Sequence, residues 1–282
     1  PDAVTKPARK PIDGPKLLLL AFAHRTITDY RLSVRHRFHS KHHDWHLQKP
    51  LQIRHRDVLS ADRVIHSPFF VHVCEALHFP FTAEEIVALQ PDLVLASRFS
   101  PPATRAALAR MGVRSELFSV PSSVAESLAQ VMQIANAVNR PDRGRALVAR
   151  IEAALAAAAP PPRTRRLSAI TFQSGGFAAG PGTMMDEMMR RAGFDNAVTR
   201  YGLNRSGNVG LEQLVADPPD VLLAGQLAPG APTWADRVIA HPALRRARLH
   251  RAAFPQNLTF CGGPVLIDCA AMLAKARREA LA

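Results

Sequence analysis

The sequence predicts an α/β protein with two Rossmann-like lobes, each built on a parallel sheet, joined by a long α-helix. Three features support this class: an internal repeat about half a chain apart, a long helix between its two copies, and alternating strands and helices in the second half. The chain has 282 residues, of which 47% are apolar. This length suits two domains of roughly 100–200 residues each.

The first 79 residues differ in composition from the rest. Residues 1–23 combine a basic segment with an apolar run, which fits either the remnant of an export signal or a buried strand over Lys16–Ala23, and the strand is favoured. Residues 24–79 hold ten of the twelve histidines and no glycine. These histidines offer possible zinc ligands, but few apolar residues are present to fix their geometry. We therefore predict no metal site and keep zinc or nickel binding by this segment as an alternative function.

The repeat relates residues 84–96 to residues 212–224, with seven of 13 positions identical at an offset of 128. Each copy has a short helical segment ended by proline, then Pro-Asp and a continuous apolar run. Such a run is typical of a parallel strand buried on both faces. The two copies therefore predict two similar α/β lobes.

Two helices are predicted between the copies. Ser123 and Glu126 have the spacing of a capping box, in which a hydroxyl and a carboxylate each satisfy a free backbone N–H group. The second helix begins near Pro141, runs to about Ala158 and spans about 27 Å. The predicted divisions are a tail with the first strand over 1–23, a lobe over 24–140, a linking helix over 141–159 and a lobe over 160–282.

The second half alternates strands with helices. Its predicted elements are strand Leu167–Phe172, a helix from Thr183 to about Ala192, strand Asp220–Ala224, a helix from about Thr233 that includes His241, a strand near Leu249–Phe254 and a last helix from Val265 to about Ala280. Four methionines at helical spacing are predicted to pack in the core rather than to bind a soft metal. They are Met184, Met185, Met188 and Met189.

Composition and motifs argue against several other functions. The net charge of +13 is dispersed, without a run of five like charges, so nucleic-acid binding is not expected. No stretch approaches the ~18–20 apolar residues of a membrane span, so a channel or permease is not expected. The nucleophile-elbow, zinc-protease and phosphate-loop motifs are missing. We therefore predict no catalytic residue and no cofactor, and keep an unrecognised α/β enzyme as the second alternative.

Six motifs follow one another from about residue 80 to the end. They are residues 83–92, 111–113, 175–183, 211–214, 241–244 and 261–264. In this order they resemble the periplasmic substrate-binding proteins of ABC importers for iron–siderophore complexes, heme and cobalamin, the class with a long helix between two lobes. The resemblance implies a monomeric periplasmic receptor that captures such a metal chelate and delivers it to a permease dimer with its ATPase subunits.

The resemblance and the fold together predict two sets of functional residues. Ligands of α/β proteins bind beyond the carboxyl ends of the strands, where aromatic groups can pack a flat ligand and Arg or amide groups can meet its carboxylates. The predicted ligand-binding residues are Arg98, Phe99, Gln173, Phe177, Gln226, Asn257 and Phe260. The family pairs one glutamate per lobe with arginines of the permease, and Glu84 and Glu212 align with these glutamates.

Overall fold

The computed structural model describes residues 16–20, 58–60, 83–88, 91–225, 241–260 and 262–282. The histidines of residues 24–79 lie outside these ranges, as do residues 1–15, Gln226 and the predicted helix start near Thr233. The described residues fall into two compact units. The first contains the described residues up to 119 together with 135–141, and the second contains residues 120–134 and those from 142 onward.

The first unit is a sheet with flanking helices. Its described elements are strands β1 (Lys16–Leu20) and β2 (Val58–Ser60), helix α1 (Ala83–Ala88), strand β3 (Leu93–Ser97), helix α2 (Pro102–Arg110) and strand β4 (Ser115–Phe118). The strand order is β2-β1-β3-β4, in which β1, β3 and β4 are parallel and β2 is antiparallel to β1. The predicted first strand is confirmed over its described part.

The second unit continues the alternation of strands and helices. Its described elements are α3 (Val124–Ala137, whose last residues belong to the first unit), α4 (Pro141–Ala158), β5 (Leu167–Phe172), β6 (Phe177–Ala178), α5 (Met184–Arg191), β7 (Phe194–Asn196), β8 (Gly207–Asn208), α6 (Leu211–Ala216), β9 (Val221–Ala224), α7 (Pro242–Arg246), β10 (His250–Ala253), α8 (Asn257–Phe260) and α9 (Val265–Leu281). The main sheet has the order β10-β9-β5-β7 and all its pairs are parallel. The predicted α/β class with parallel sheets is confirmed.

The two copies of the repeat form equivalent structures. Helix α1 precedes β3 as helix α6 precedes β9, and each strand lies between two parallel neighbours. Leu93–Ala96 are buried in the first copy and Val221–Ala224 in the second. The apolar runs therefore form central strands that are covered on both faces, as predicted.

The helices between the copies are confirmed, with one correction to the capping. The Ser123 hydroxyl accepts the Glu126 backbone N–H at 3.1 Å. The Glu126 carboxylate, however, accepts the backbone N–H of Ser122 at 2.8 Å rather than that of Ser123, so the predicted capping box forms only in part. Helix α4 occupies the predicted residues, and its role as the link between lobes stays a prediction.

A carboxylate from another helix also binds the start of α3. The Glu187 carboxylate accepts the Val124 N–H at 2.9 Å and binds Arg191 on its own helix. Burial alone would raise the pKa of Glu187, but these hydrogen bonds and the Arg191 charge hold that pKa below its ordinary value. The first turn of α3 is thereby fixed to α5.

Two further helix predictions have different outcomes. All four methionines of α5 are buried, which confirms their assignment to the core. His241, however, is not within a helix but is the cap residue of α7, and its Nδ1 accepts the Ala243 N–H at 3.2 Å. Proline favours the first helical position, so Pro242 starts the helix after this histidine. Among the described helices, none is long and apolar enough to cross a membrane.

The Pro-Asp pair of the second repeat copy ties β9 to β5. The Asp220 carboxylate accepts the Ser168 N–H at 2.7 Å and the Ser168 hydroxyl at 2.8 Å, and pairs with Arg165 at 2.9 Å. Burial alone would raise the pKa of Asp220, but these hydrogen bonds and the Arg165 charge lower that pKa below its ordinary value. The ionised carboxylate therefore stabilises the amino-terminal edge of the sheet.

We expect Asp220→Asn to lower the free energy of unfolding at neutral pH. Because the pKa of Asp220 is lower in the folded than in the unfolded protein, the stabilisation is complete above about pH 4 and is lost as pH falls through the folded pKa. Urea unfolding from pH 7 to pH 3 should show wild-type and variant stabilities converging at low pH. The control is Asp195→Asn, which removes the ion pair of a more exposed carboxylate, 64% against 35% for Asp220. A constant gap between Asp220→Asn and wild type would contradict this prediction.

Candidate functional site

The carboxyl ends of three parallel strands meet in the second unit. The Gly225 N–H donates to the Phe172 carbonyl at 3.1 Å, and the Phe254 N–H donates to the Ala224 carbonyl at 2.7 Å. The side chain of Gln173 follows directly after β5, and its Nε2 lies 3.4 Å from the Phe254 carbonyl oxygen. This edge therefore brings together the residues that follow β5, β9 and β10.

Gln173 is the buried polar residue of this edge. Only 2% of its surface is exposed, and its side-chain oxygen Oε1 has no hydrogen-bond partner in the described structure. Its backbone N–H donates to the Phe177 carbonyl at 2.9 Å. The backbone thus links Gln173 to the half-buried Phe177, and two of the predicted ligand-binding residues lie on one tight turn.

Glycines give this turn its shape. Gly175 and Gly176 have φ angles of 75° and 80°, which lie in the left-handed region. The Gly175 carbonyl accepts the Asn208 side-chain amide at 2.6 Å, and the Gly176 carbonyl accepts the Val209 N–H at 2.9 Å. The turn is therefore held against the antiparallel pair of β6 and β8.

The other predicted residues of this unit are less well defined by the structure. Asn257 is half-buried and begins the short helix α8. Phe260 ends that helix, and its side chain is not described. Gln226 lies outside the described residues, one position after Gly225. These three residues stay predictions.

The first unit has a matching turn at the carboxyl end of β3. The Arg98 N–H donates to the Phe118 carbonyl at 2.8 Å, and the Phe99 N–H donates to the Ser97 hydroxyl at 3.1 Å. Arg98 is exposed, and 62% of the Phe99 surface is exposed. The turn thus carries an exposed cation and an exposed aromatic residue at consecutive positions of the chain.

The two glutamates of the predicted docking pair lie at equivalent positions of the repeat. Glu212 is exposed in the first turn of α6. Glu84 lies in α1, and its side chain is not described. The Gln213 side chain accepts the Gly210 N–H at 2.9 Å, so the helix start is capped without Glu212. This carboxylate is therefore not required by the local structure.

Ser100 and Asp186 are not among the predicted ligand-binding residues. Ser100 is buried beside Phe99, and its hydroxyl has no hydrogen-bond partner in the described structure. The buried Asp186 carboxylate accepts the Gly182 N–H at 3.2 Å and the Asn196 amide at 3.1 Å, which fixes the end of the glycine loop. The sequence pattern that could have indicated Asp186 is a carboxylate in the first turn of a helix that follows a glycine loop, because such carboxylates accept free N–H groups there.

Within the described part of the chain, no three His, Cys, Asp or Glu residues are grouped as metal ligands would be. Cys269 is buried in α9, and burial raises the pKa of its thiol to about 12. The alternative of metal-ion binding therefore depends on the histidines of residues 24–79.

Comparison with known proteins identifies the family. The sequence model of the periplasmic binding protein family matches residues 78–248. This match covers more than half of the chain, and the protein therefore belongs to that family. None of the curated proteins compared with the chain matches it significantly.

Solved structures support the same fold. The periplasmic heme-binding protein BhuT in complex with two hemes is 26% identical, with a TM-score of 0.59 over 75% of this chain and 85% of BhuT. The apo heme-binding protein RhuT from Roseiflexus sp. RS-1 is 24% identical, with a TM-score of 0.56 over 74% and 93%. The heme-binding protein HutB of Vibrio cholerae is 17% identical, with a TM-score of 0.57 over 69% and 80%. The last two show similarity of fold alone.

The turn after β5 generates a test with a matched control. A Cβ atom on Gly176 would lie 2.6 Å from the Val209 carbonyl oxygen, whereas Gly182 has a similar φ of 75° and no atom within 4 Å of its Cβ position. We expect Gly182→Ala to cost about 1 kcal/mol through backbone strain alone. Gly176→Ala should cost clearly more, because it also displaces β8. Urea unfolding of both variants measures the difference. Equal losses in the free energy of unfolding would contradict the clash expected between a Cβ at Gly176 and the Val209 carbonyl oxygen.

Proposed function

We propose that this protein is the substrate-binding receptor of an ABC importer, that it works in the periplasm, and that its ligand is a metal chelate, of which heme is favoured over a ferric siderophore or cobalamin. The family match over residues 78–248 carries this proposal. The 26% identity to BhuT, which was solved with two hemes, supports heme as the ligand. The receptor would bind its ligand and release it chemically unchanged.

The residues at the strand ends fit a flat, anionic chelate. Phe99 and Phe177 supply apolar faces, which suit a planar ring system. Arg98 supplies a positive charge for carboxylates, and Gln173 supplies an amide. These groups follow central or neighbouring strands in both units, as expected for ligand contacts in an α/β protein. Gln226, Asn257 and Phe260 are proposed to complete the site.

Glu212, which is exposed, and its repeat equivalent Glu84 support the proposal that the protein docks on a permease. We infer that each contacts an arginine of one permease subunit, because a pair of equivalent carboxylates suits a partner with two-fold symmetry. Arginine binds carboxylates in a bidentate geometry that fixes orientation. The partner is then an ABC permease dimer with its ATPase subunits, and the receptor acts as a monomer.

Heme binding tests the proposal that the protein binds a metal chelate. At 100 times its dissociation constant, a ligand stabilises the folded state by about 2.7 kcal/mol, which for a chain of this size raises the melting temperature by several degrees. We expect heme to give this shift. If heme, a ferric siderophore and cobalamin all fail to stabilise protein that is folded by circular dichroism, the proposal is wrong.

The predicted role of Phe99 has a matched control in the same unit. Phe99→Ala should weaken heme affinity about tenfold, since it removes an exposed aromatic surface at the site. Met111 is also apolar and 42% exposed, but it lies at the other end of α2. Met111→Ala should leave heme affinity unchanged. Absorbance titration of both variants decides between a binding role and a general effect on stability.

Docking is tested by comparing uptake with binding. Replacing Glu84 and Glu212 together by Lys should abolish heme uptake in cells, because like charges then face each other at the permease. Heme affinity in solution should change less than twofold, as for other surface substitutions. The exposed Glu152 of α4 provides the control Glu152→Lys, which should transport normally. Normal uptake by the double variant would rule out docking through these residues.

A further inference from the structure

The start of helix α2 has backbone donors without acceptors. Pro102 has no N–H group, and the Arg105 N–H donates to the Pro101 carbonyl at 3.1 Å. The N–H groups of Ala103 and Thr104 lie in the first turn, where a helix offers no acceptor of its own. Within the described part of the chain, no side chain caps this nine-residue helix, and its first turn holds no acidic residue. The described residues therefore provide no acceptor for two donors at the positive end of the helix dipole.

Two buried side-chain donors occur in the same short segment. Ser100 directly precedes the cap residue Pro101; its exposed surface is only 2%, and its hydroxyl has no hydrogen-bond partner in the described structure. Arg105 lies one turn into the helix, and its Nε is also buried and without a partner there. Buried polar groups are normally hydrogen bonded. Two such exceptions, both able to donate, indicate that an acceptor from outside the chain belongs here.

The charge of residues 93–115 favours an anionic acceptor. Residues 93–115 contain four arginines and neither Asp nor Glu. Arg98 is exposed on the turn just before Ser100. The donors therefore combine two guanidinium groups, a hydroxyl and two backbone N–H groups, with no carboxylate among them. This set matches an anion, since helix N-termini bind carboxylates and phosphates through the same groups.

We propose that the segment from Arg98 to Arg105 is an anion subsite that binds a carboxylate of the chelate, while Phe99 packs against its ring. This inference rests on the proposed function, and to the carboxylate contact proposed for Arg98 it adds the Ser100 hydroxyl, the Arg105 guanidinium and the two N–H groups of the first turn. For heme, the carboxylate is a propionate. The subsite makes the receptor selective for chelates that carry a free carboxylate.

The test compares heme with heme dimethyl ester, in which both propionates are blocked. Wild-type protein should bind heme at least tenfold more tightly than the ester. Ser100→Ala and Arg105→Met, which remove donors with little change of volume, should each weaken heme binding and leave ester binding unchanged, so that the ratio approaches one. The control is Arg110→Gln at the far end of α2, which should keep the wild-type ratio. A wild-type ratio near one, or an unchanged ratio in both donor variants, overturns the subsite while heme binding itself stands.

A second measurement is independent of heme. Titration with inorganic sulfate, followed by backbone amide NMR, should shift the Ala103 and Thr104 signals in the wild type and much less in Ser100→Ala. If wild-type protein binds neither heme nor its ester, the proposed ligand is wrong, and this titration still decides the subsite. Unmoved Ala103 and Thr104 signals overturn it.

Discussion

The burial of two central strands is the constraint on which the rest of the structure depends. Strands β3 and β9 are each hydrogen bonded to a parallel neighbour on both sides, and the apolar runs Leu93–Ala96 and Val221–Ala224 are buried. A strand without a free edge or an exposed face cannot shift its register without exposing apolar surface or breaking hydrogen bonds. The positions at which the chain leaves the two sheets are therefore fixed.

Two buried side-chain oxygens lie just beyond strand ends. The Gln173 side chain directly follows β5 in the second unit, and Ser100 lies three positions after β3 in the first. Neither the Gln173 Oε1 nor the Ser100 hydroxyl has a hydrogen-bond partner in the described structure. Each group is buried, so neither is satisfied by water at an open surface.

Elsewhere the chain uses its polar groups to hold loops in place. Two consecutive carboxylates of α5 bind different loops. Asp186 accepts the Gly182 N–H and the Asn196 amide. Glu187 accepts the Val124 N–H at the start of α3. The Ser127 hydroxyl of α3 accepts the Gly263 N–H at 2.7 Å. These contacts tie the glycine loop, the start of α3 and the Gly263 loop to helices of the second unit.

The sequence by itself determined the α/β class, the repeat and the bounds of most helices and strands, because these depend on apolar periodicity and on proline and glycine at element ends. It also placed Arg98, Phe99, Gln173 and Phe177 at strand ends. Only the tertiary structure decided which carboxylate caps which N–H, because Glu126 and Glu187 each had several donors within reach of a flexible side chain. Only the tertiary structure left the Ser100 hydroxyl and the Arg105 Nε buried and without a partner in the described structure, since burial depends on residues distant in sequence.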